Sequence, residues 1–180
     1  MNLFSHWASD SIPVDGGGQA QDVLTNELLL ELIRNLVVEP ADASDHGPCA
    51  CCGHTSRTAW GFVHWEEGTL AAYFAHWIVG QPRHGVHLDM IVGRWGETSS
   101  AADREAVSLA CRFVNNRPEL SLIDAPGRQF AQNELVGRAL RREEVLGRPL
   151  ATKVFALADA ILFHDGRLAD LTGRASMALH

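Results

Sequence analysis

The chain has 180 residues, a length that fits one folded domain with a continuous core. Hydrophobic residues make up 46% and charged residues 21% of the sequence, as in ordinary globular proteins, which excludes the disordered and fibrous classes. Acidic residues outnumber basic ones by 22 to 15, and the net charge of -7 disfavours nucleic acid or an anionic membrane as the main partner.

Residues 1–20 are predicted to form a flexible arm, because the segment ends in the glycine-rich and polar stretch "VDGGGQAQD". The arm lacks the basic start and apolar run of a secretory signal, and no later segment approaches the about 18 apolar residues of a membrane helix. We therefore expect a cytoplasmic protein with reduced cysteines and no membrane contact. Residues 21–180 are expected to form a single domain.

A helix is predicted to begin at Asp22 and to end before Pro40, because leucine and isoleucine recur on one face of this segment. Residues 41–56 are rich in Asp, Ser, Gly and Pro, which indicates a loop. Three runs of aromatic and β-branched residues come next, separated by short polar turns, and they are typical of an antiparallel meander. The predicted strands lie at 57–66, 69–80 and 85–96.

The segment 99–116 is predicted to be a second helix that buries Cys111. It opens with a serine cap, and Val107, Ala110, Cys111 and Val114 follow helical spacing. A short alternating run then predicts a fourth strand, and two further runs show helical spacing; these lie at 119–125, 129–147 and 150–166. The predicted fold is α+β, an antiparallel meander sheet of three to four strands with helices packed mainly on one face.

The cysteine-rich stretch allows more than one interpretation. Cys49 and Cys52 stand in C-x-x-C spacing and His54 follows, which is a spacing found in tetrahedral zinc sites. A second pair of ligands is missing, so no cofactor is the favoured prediction, and zinc held by Cys49, Cys52 and His54 is the alternative. A fourth ligand would come from His46, Cys51 or a histidine of the sheet. A redox site is disfavoured, because a strand rather than a helix follows the motif.

The structural interpretation of the same stretch makes its own predictions. Gly53 would allow the chain to reverse into the first strand. The cysteines would lie reduced against the helix of residues 22–38, and Arg57 would make a polar contact where the strand begins.

Histidines alternate with apolar residues on the predicted strands, so they can share the sheet face that is turned away from the helices. His87 and Asp89 alternate with the apolar residues of their strand, and His76 lies on the preceding strand. These three residues are the catalytic alternative, with His76 or His87 as the base and Asp89 as the group that orients it. No nucleophile or phosphate-binding motif accompanies them.

Aromatic residues concentrate between positions 60 and 95, and tryptophan and tyrosine often anchor protein interfaces. A protein-binding role for this face is therefore the leading prediction. The candidate partner-binding residues are Trp60, His64, Trp65, Tyr73, His76, Trp77, His87, Asp89 and Trp95.

The stretches "CACCGHTSRTAWGFVHW", "HGVHLDMIVGRWGE", "DREAVSLACRF" and "LIDAPGR" resemble a group of small uncharacterised bacterial proteins. These carry C-x-x-C-G-H-x-S-R before an aromatic strand, and the resemblance covers about residues 48 to 165. In size, acidity and lack of a catalytic signature the chain is also similar to immunity proteins, which bind and neutralise a toxin domain. This similarity implies a cytoplasmic, non-enzymatic role in a toxin–antitoxin pair and a basic protein partner.

Overall fold

A long antiparallel sheet dominates the protein in the computed structural model, which describes residues 34–65, 68–81, 84–114, 117–123, 137–146 and 150–168. Seven strands, two helices and one 3-10 turn at Ala101–Asp103 lie entirely within these ranges, and Arg34 and Asn35, directly before the first strand, are also helical. The strands are β1 (Leu36–His46), β2 (Ser56–Trp65), β3 (Gly68–Ile78), β4 (Val86–Trp95), β5 (Arg104–Val114), β6 (Arg117–Leu122) and β7 (Arg138–Ala139), and the helices are α1 (Arg142–Leu146) and α2 (Leu150–His164).

The first six strands follow one another across the sheet in chain order, and each neighbouring pair is antiparallel. β7 is different, because it pairs in parallel with the start of β5, while β6 pairs with the end of that strand. A sheet bulge separates Pro40 from Asp42 on β1. Proline is tolerated there because β1 is an edge strand of the described sheet.

One face of the sheet forms the core with α2. Alternate residues of β2, β3, β4 and β5 are buried in the same cluster as the apolar stripe of the helix. The helix contributes Val154, Leu157, Ala158, Ile161 and Leu162, all of them buried. No helix in the described part of the chain has the length and apolar character that crossing a membrane requires.

A polar network joins the end of α2 to the sheet. The hydroxyl of Tyr73 donates a hydrogen bond to Asp165, which is fully buried, and Arg167 Nη2 donates to Asp165 Oδ2 at 2.9 Å. Arg167 also donates to the backbone carbonyls of Asp42 and Trp60. Gly61 makes room for this network, because a Cβ there would lie 2.7 Å from Tyr73 Oη and 2.5 Å from the carbonyl oxygen of Glu39.

The structure confirms the mostly antiparallel sheet and agrees with an α+β fold, but the sheet is larger than the three to four strands predicted and the described helices are few. The predicted strands at 57–66, 69–80 and 85–96 are confirmed as the meander β2, β3 and β4. The short strand predicted at 119–125 is confirmed as part of β6, and the helix predicted at 150–166 as α2.

The helix predicted at 99–116 is wrong. Ser100 does cap a turn, together with Asp103, but the helical conformation ends at residue 103 and β5 begins at Arg104. Val107, Leu109 and Cys111 then alternate into the core. Pairing with β4 and β6 on both sides decides the conformation of this segment.

Three other predicted boundaries are also wrong. β1 begins at Leu36, so the end of the helix predicted for residues 22–38 is a strand, and the start of the loop predicted for 41–56 belongs to β1 as well. In the segment 129–147 the described residues form β7 and α1 rather than one helix. The predicted arm at 1–20 and the helix before residue 34 lie outside the described residues.

Candidate functional site

The candidate functional residues lie mainly on the sheet face opposite α2, which we call the outer face. Its side chains alternate with those of the core along each strand. Cross-strand partners in an antiparallel sheet share a face, so His76 lies beside His87 and Phe74 lies beside Trp60. The outer face carries Trp60, Phe62, His64, Phe74, His76, His87, Asp89, Trp95 and Ser108.

A carboxylate and an imidazole form an ion pair in the middle of this face. His87 Nε2 lies 3.4 Å from Asp89 Oδ1 on the same strand. Ser108, the cross-strand partner of Asp89 on β5, donates a hydrogen bond to the same carboxylate oxygen. Asp89 and Ser108 are buried, whereas the side chain of His87 is 44% exposed. The buried pair therefore holds the carboxylate in place and leaves the imidazole accessible.

The two neighbouring histidines have shifted pKa values of opposite sign. The hydrogen bond to Asp89 raises the pKa of His87, and it outweighs the burial that lowers this pKa. Burial lowers the pKa of His76, and the positive charges of His87 and His46 lower it further. As the pH falls, His87 is thus the histidine of this pair that takes up a proton first.

An aromatic cluster lies on the same face towards β1. The ring of Phe62 makes an edge contact with Trp60 at 5.8 Å and another with Trp95 at 6.4 Å between ring centroids. The guanidinium of Arg104 lies 4.2 Å from the centre of the Trp95 ring, which is a cation–π contact. These contacts place Phe62 in the centre of the cluster and leave Trp60 at its border.

The exposed part of this cluster continues onto β1. Val37 is 60% exposed and Trp60 is 42% exposed. Val37 pairs with His64, Glu39 pairs with Phe62, and Asp42 pairs with Trp60. We call this surface the edge patch and define it as Val37, Glu39, Asp42, Trp60, Phe62 and His64. Two carboxylates thus lie next to two exposed apolar side chains.

One charged contact inside the edge patch crosses from β1 to β2. Glu39 Oε2 lies 2.9 Å from His64 Nε2, and the hydroxyl of Thr69 is hydrogen-bonded to the other nitrogen of this imidazole at 3.1 Å. The ring of His64 is thereby held on both sides, which keeps it oriented beside Phe62.

The structure divides the predicted partner-binding residues into three groups. Trp60, His64, His76, His87, Asp89 and Trp95 lie on the outer face. Tyr73 and Trp77 lie in the core, with 1% and 5% of their surface exposed, so neither can contact a partner there. They alternate with Phe74 and His76 on β3 and therefore point towards α2. Trp65, the last residue of β2, is partly exposed but does not belong to the edge patch.

Three cysteines come together at the tip of the hairpin between β1 and β2. The Sγ atoms of Cys49, Cys51 and Cys52 all lie within 4.8 Å of one another, and those of Cys49 and Cys51 are 2.8 Å apart. The turn is closed by hydrogen bonds from Cys49 N to His54 O at 2.9 Å and from Gly53 N to Cys49 O at 2.7 Å. Hydrogen bonds from the Cys51 thiol and from the backbone N–H groups of Cys51 and Cys52 lower the pKa of Cys49 to about 7.

This geometry bears on each prediction for the cysteine stretch. The positive φ of +70° at Gly53 and the paired contacts of Arg57 with Asp45 confirm the predicted reversal and the predicted polar contact. The three thiols are exposed, so the prediction that they pack against a helix is wrong, whereas Cys111 is buried as predicted. The sulfur of Cys51 joins those of Cys49 and Cys52, and His54 does not belong to this group.

Some residues of the site were not among the predicted ones. Phe62 and Arg104 complete the aromatic cluster, and Ser108 supports Asp89. The alternation of Trp60, Phe62 and His64 could have identified the first of these from the sequence. Arg104 and Ser108 lie in the segment predicted as a helix, so their strand neighbours could not be inferred.

Comparison of the chain with protein-family models, with curated proteins and with solved structures gave no match. The functional assignment therefore depends on the geometry of the outer face.

Proposed function

We propose that the chain is a protein-binding module and that its edge patch binds a basic protein partner. The observation that carries this proposal is the exposure of Trp60 at the border of an aromatic cluster, with a second exposed apolar residue, Val37, further along the same sheet edge on β1. A large aromatic side chain that is held by edge contacts yet open to solvent is typical of the anchor residues of interfaces. Burying Trp60 in a partner would remove apolar surface from water at little cost in side-chain entropy.

The charges around the patch favour a basic partner. Glu39 and Asp42 lie beside the exposed apolar residues, and the whole chain carries a net charge of -7. A lysine or arginine of the partner could bind these carboxylates and also lie over the face of Trp60. The same charges would speed the encounter at low ionic strength.

The specific form that we propose is an immunity protein, which binds and neutralises a basic toxin domain in the cytoplasm of a bacterium. This form is supported by the acidity and the size of the chain. It is also supported by the exposed edge patch, since binding through this surface requires no catalytic group. Inhibition would follow from occupation of the toxin's own basic surface.

A pull-down from a native bacterial lysate tests the proposal, with the unmodified chain, Trp60→Ala and Leu146→Ala as baits. Leu146 is a matched control, because it is an exposed apolar residue on α1. We expect a stoichiometric partner that the unmodified chain and Leu146→Ala retain and that Trp60→Ala loses. No stoichiometric partner, together with no protection against the product of a neighbouring gene, would contradict the proposal.

The ion pair of the outer face supports a second candidate function from another class, a small acid–base hydrolase. His87 is accessible, Asp89 orients it at 3.4 Å, and the adjacent His76 has a lowered pKa that suits a neutral base. Hydrolysis of a series of chromogenic esters tests this function, with His87→Ala as the variant and His84→Ala as an exposed control. Turnover that His87→Ala abolishes supports it, and rates equal in all three proteins reject it.

A further inference from the structure

We propose that the cysteine turn, Cys49 to His54, binds one zinc ion through the thiolates of Cys49, Cys51 and Cys52. This site is separate from the edge patch and does not depend on the proposed function. It differs from the site predicted by C-x-x-C spacing alone, since Cys51 takes the place of His54.

The positions of the sulfur atoms carry the proposal. All three lie within 4.8 Å of one another. In a tetrahedral zinc–thiolate site with bonds of about 2.3 Å, the sulfurs are about 3.8 Å apart. The three side chains are exposed on one turn, and their sulfur atoms need to shift by only about 1 Å relative to one another to reach this spacing.

Backbone hydrogen bonds hold the cysteine turn in a closed conformation. Hydrogen bonds from Cys49 N to His54 O and from Gly53 N to Cys49 O close the loop, and Gly53 adopts the positive φ that the reversal needs. Below the turn, the pair Arg57 and Asp45 crosses the hairpin between neighbouring strands. The thiols are therefore brought together before an ion arrives, which lowers the entropy cost of binding.

Packing does not explain three cysteines at this place. A free cysteine is ordinarily a small buried apolar residue, as Cys111 is, whereas these three are exposed to water. Soft thiolate ligands favour zinc strongly over calcium or magnesium, which prefer oxygen. Three protein ligands leave one position of a tetrahedral ion open, so a water molecule or a donor from a bound partner would complete the site.

Titration of the reduced full chain with cobalt(II), a spectroscopic substitute for zinc, tests the site. We expect a sulfur-to-cobalt charge-transfer band that saturates at about one equivalent and that zinc abolishes by displacement. Cys51→Ser should weaken binding at least about tenfold, which is about 1.4 kcal/mol. Cys111→Ser, which removes the buried thiol, should leave the band unchanged. Circular dichroism spectra of all variants check that they fold.

Two results would overturn the proposal. One is the absence of a cobalt–thiolate band from a sample in which thiol titration finds the three exposed cysteines reduced. The other is equal binding by the unmodified chain and by Cys51→Ser, which would remove Cys51 from the ligand set. If two of the three thiols are blocked in the chain as isolated, and the chain binds no metal even after reduction, the turn holds a disulfide and the zinc proposal is also overturned.

Discussion

The hydroxyl of Tyr73 donates a hydrogen bond to the carboxylate of Asp165, which links the middle of β3 to the chain directly after α2. Arg167 binds the same carboxylate and reaches the backbone of β1 and β2. Burial alone would raise the pKa of Asp165, but the hydrogen bonds from Arg167 and Tyr73 outweigh it and hold this pKa below its usual value. The carboxylate is thus ionised and connects the helix end to three strands.

Removing this carboxylate should destabilise the fold. We expect Asp165→Ala to lower the free energy of unfolding by about 3 kcal/mol, because it leaves the Tyr73 hydroxyl without its acceptor and the Arg167 guanidinium without its charged partner. Tyr73→Phe, which removes one donor only, should cost about 1 kcal/mol. Urea denaturation measures both values, and equal stability of Asp165→Ala and the unmodified chain would contradict the role of the network.

The same carboxylate should contribute to acid unfolding. Its pKa is lower in the folded state than the ordinary 3.8, so its stabilisation is present above about pH 4 and is lost as the pH falls through the lowered value. We expect a steeper loss of stability between about pH 4 and pH 2 in the unmodified chain than in Asp165→Asn. The comparison isolates Asp165, because both proteins retain Asp45 and Asp103, whose pKa values are also lowered by hydrogen bonds from Arg57 and Ser100.

Gly61 should tolerate no side chain. A Cβ would lie 2.5 Å from the carbonyl oxygen of Glu39 and 2.7 Å from Tyr73 Oη, so Gly61→Ala should cost about 2 kcal/mol through displacement of β1 or of the tyrosine. Gly47→Ala is the control, since a Cβ at that position would have no neighbouring atom within 4 Å. Thermal unfolding should show a lower melting temperature for the first variant alone.

The histidines of the outer face should titrate on opposite sides of the ordinary pKa of 6.5. NMR titration of the imidazole signals should find His87 above this value and His76 below it. Asp89→Asn should lower the pKa of His87, because it removes the charge that favours the imidazolium. An unchanged titration of His87 in this variant would show that the ion pair does not form in solution.

The tryptophans should differ strongly in their effect on stability. Trp77→Ala should cost about 4 kcal/mol, because its side chain is buried in the core under α2. Trp60→Ala should cost less than about 1 kcal/mol, since this ring is at the border of the cluster and exposed. Chemical denaturation of both variants tests this order, and a large loss for Trp60→Ala would show that the edge patch has a structural role.

Strand alternation made much of the sheet predictable. In β4 the apolar residues Val86, Leu88 and Met90 alternate with His87 and Asp89, and the structure places these two sets on opposite faces. The stripe of α2 was predictable from a different period, because its apolar residues recur at helical spacing. The start of β1 was less predictable, since Val37 and Val38 follow a long helical pattern and only their β-branched side chains favour a strand.

The segment from Arg104 to Val114 shows why pattern alone is insufficient. Val107, Ala110, Cys111 and Val114 fit a helix, while Val107, Leu109 and Cys111 fit a strand equally well. The buried Ser108 makes the alternation difficult to recognise, because its partner Asp89 lies on another strand. Long-range pairing supplies the missing information.

The candidate site was predictable only in part, for related reasons. Strand alternation predicts the outward direction of His76, His87 and Asp89. The same alternation places Tyr73 and Trp77 in the core, whereas residue type alone groups these two with the exposed aromatic residues. The nearness of Cys51 to Cys49 depends on the closed turn at Gly53, which spacing does not reveal.

The contact between α2 and β1 joins distant parts of the chain, whereas β1 to β6 pair with their sequence neighbours. The meander can therefore form hairpin by hairpin as the polypeptide leaves the ribosome. Its apolar face stays open to water until the helix has been synthesised. A chain interrupted before residue 150 would expose that face, and we expect such fragments to aggregate or to be retained by chaperones.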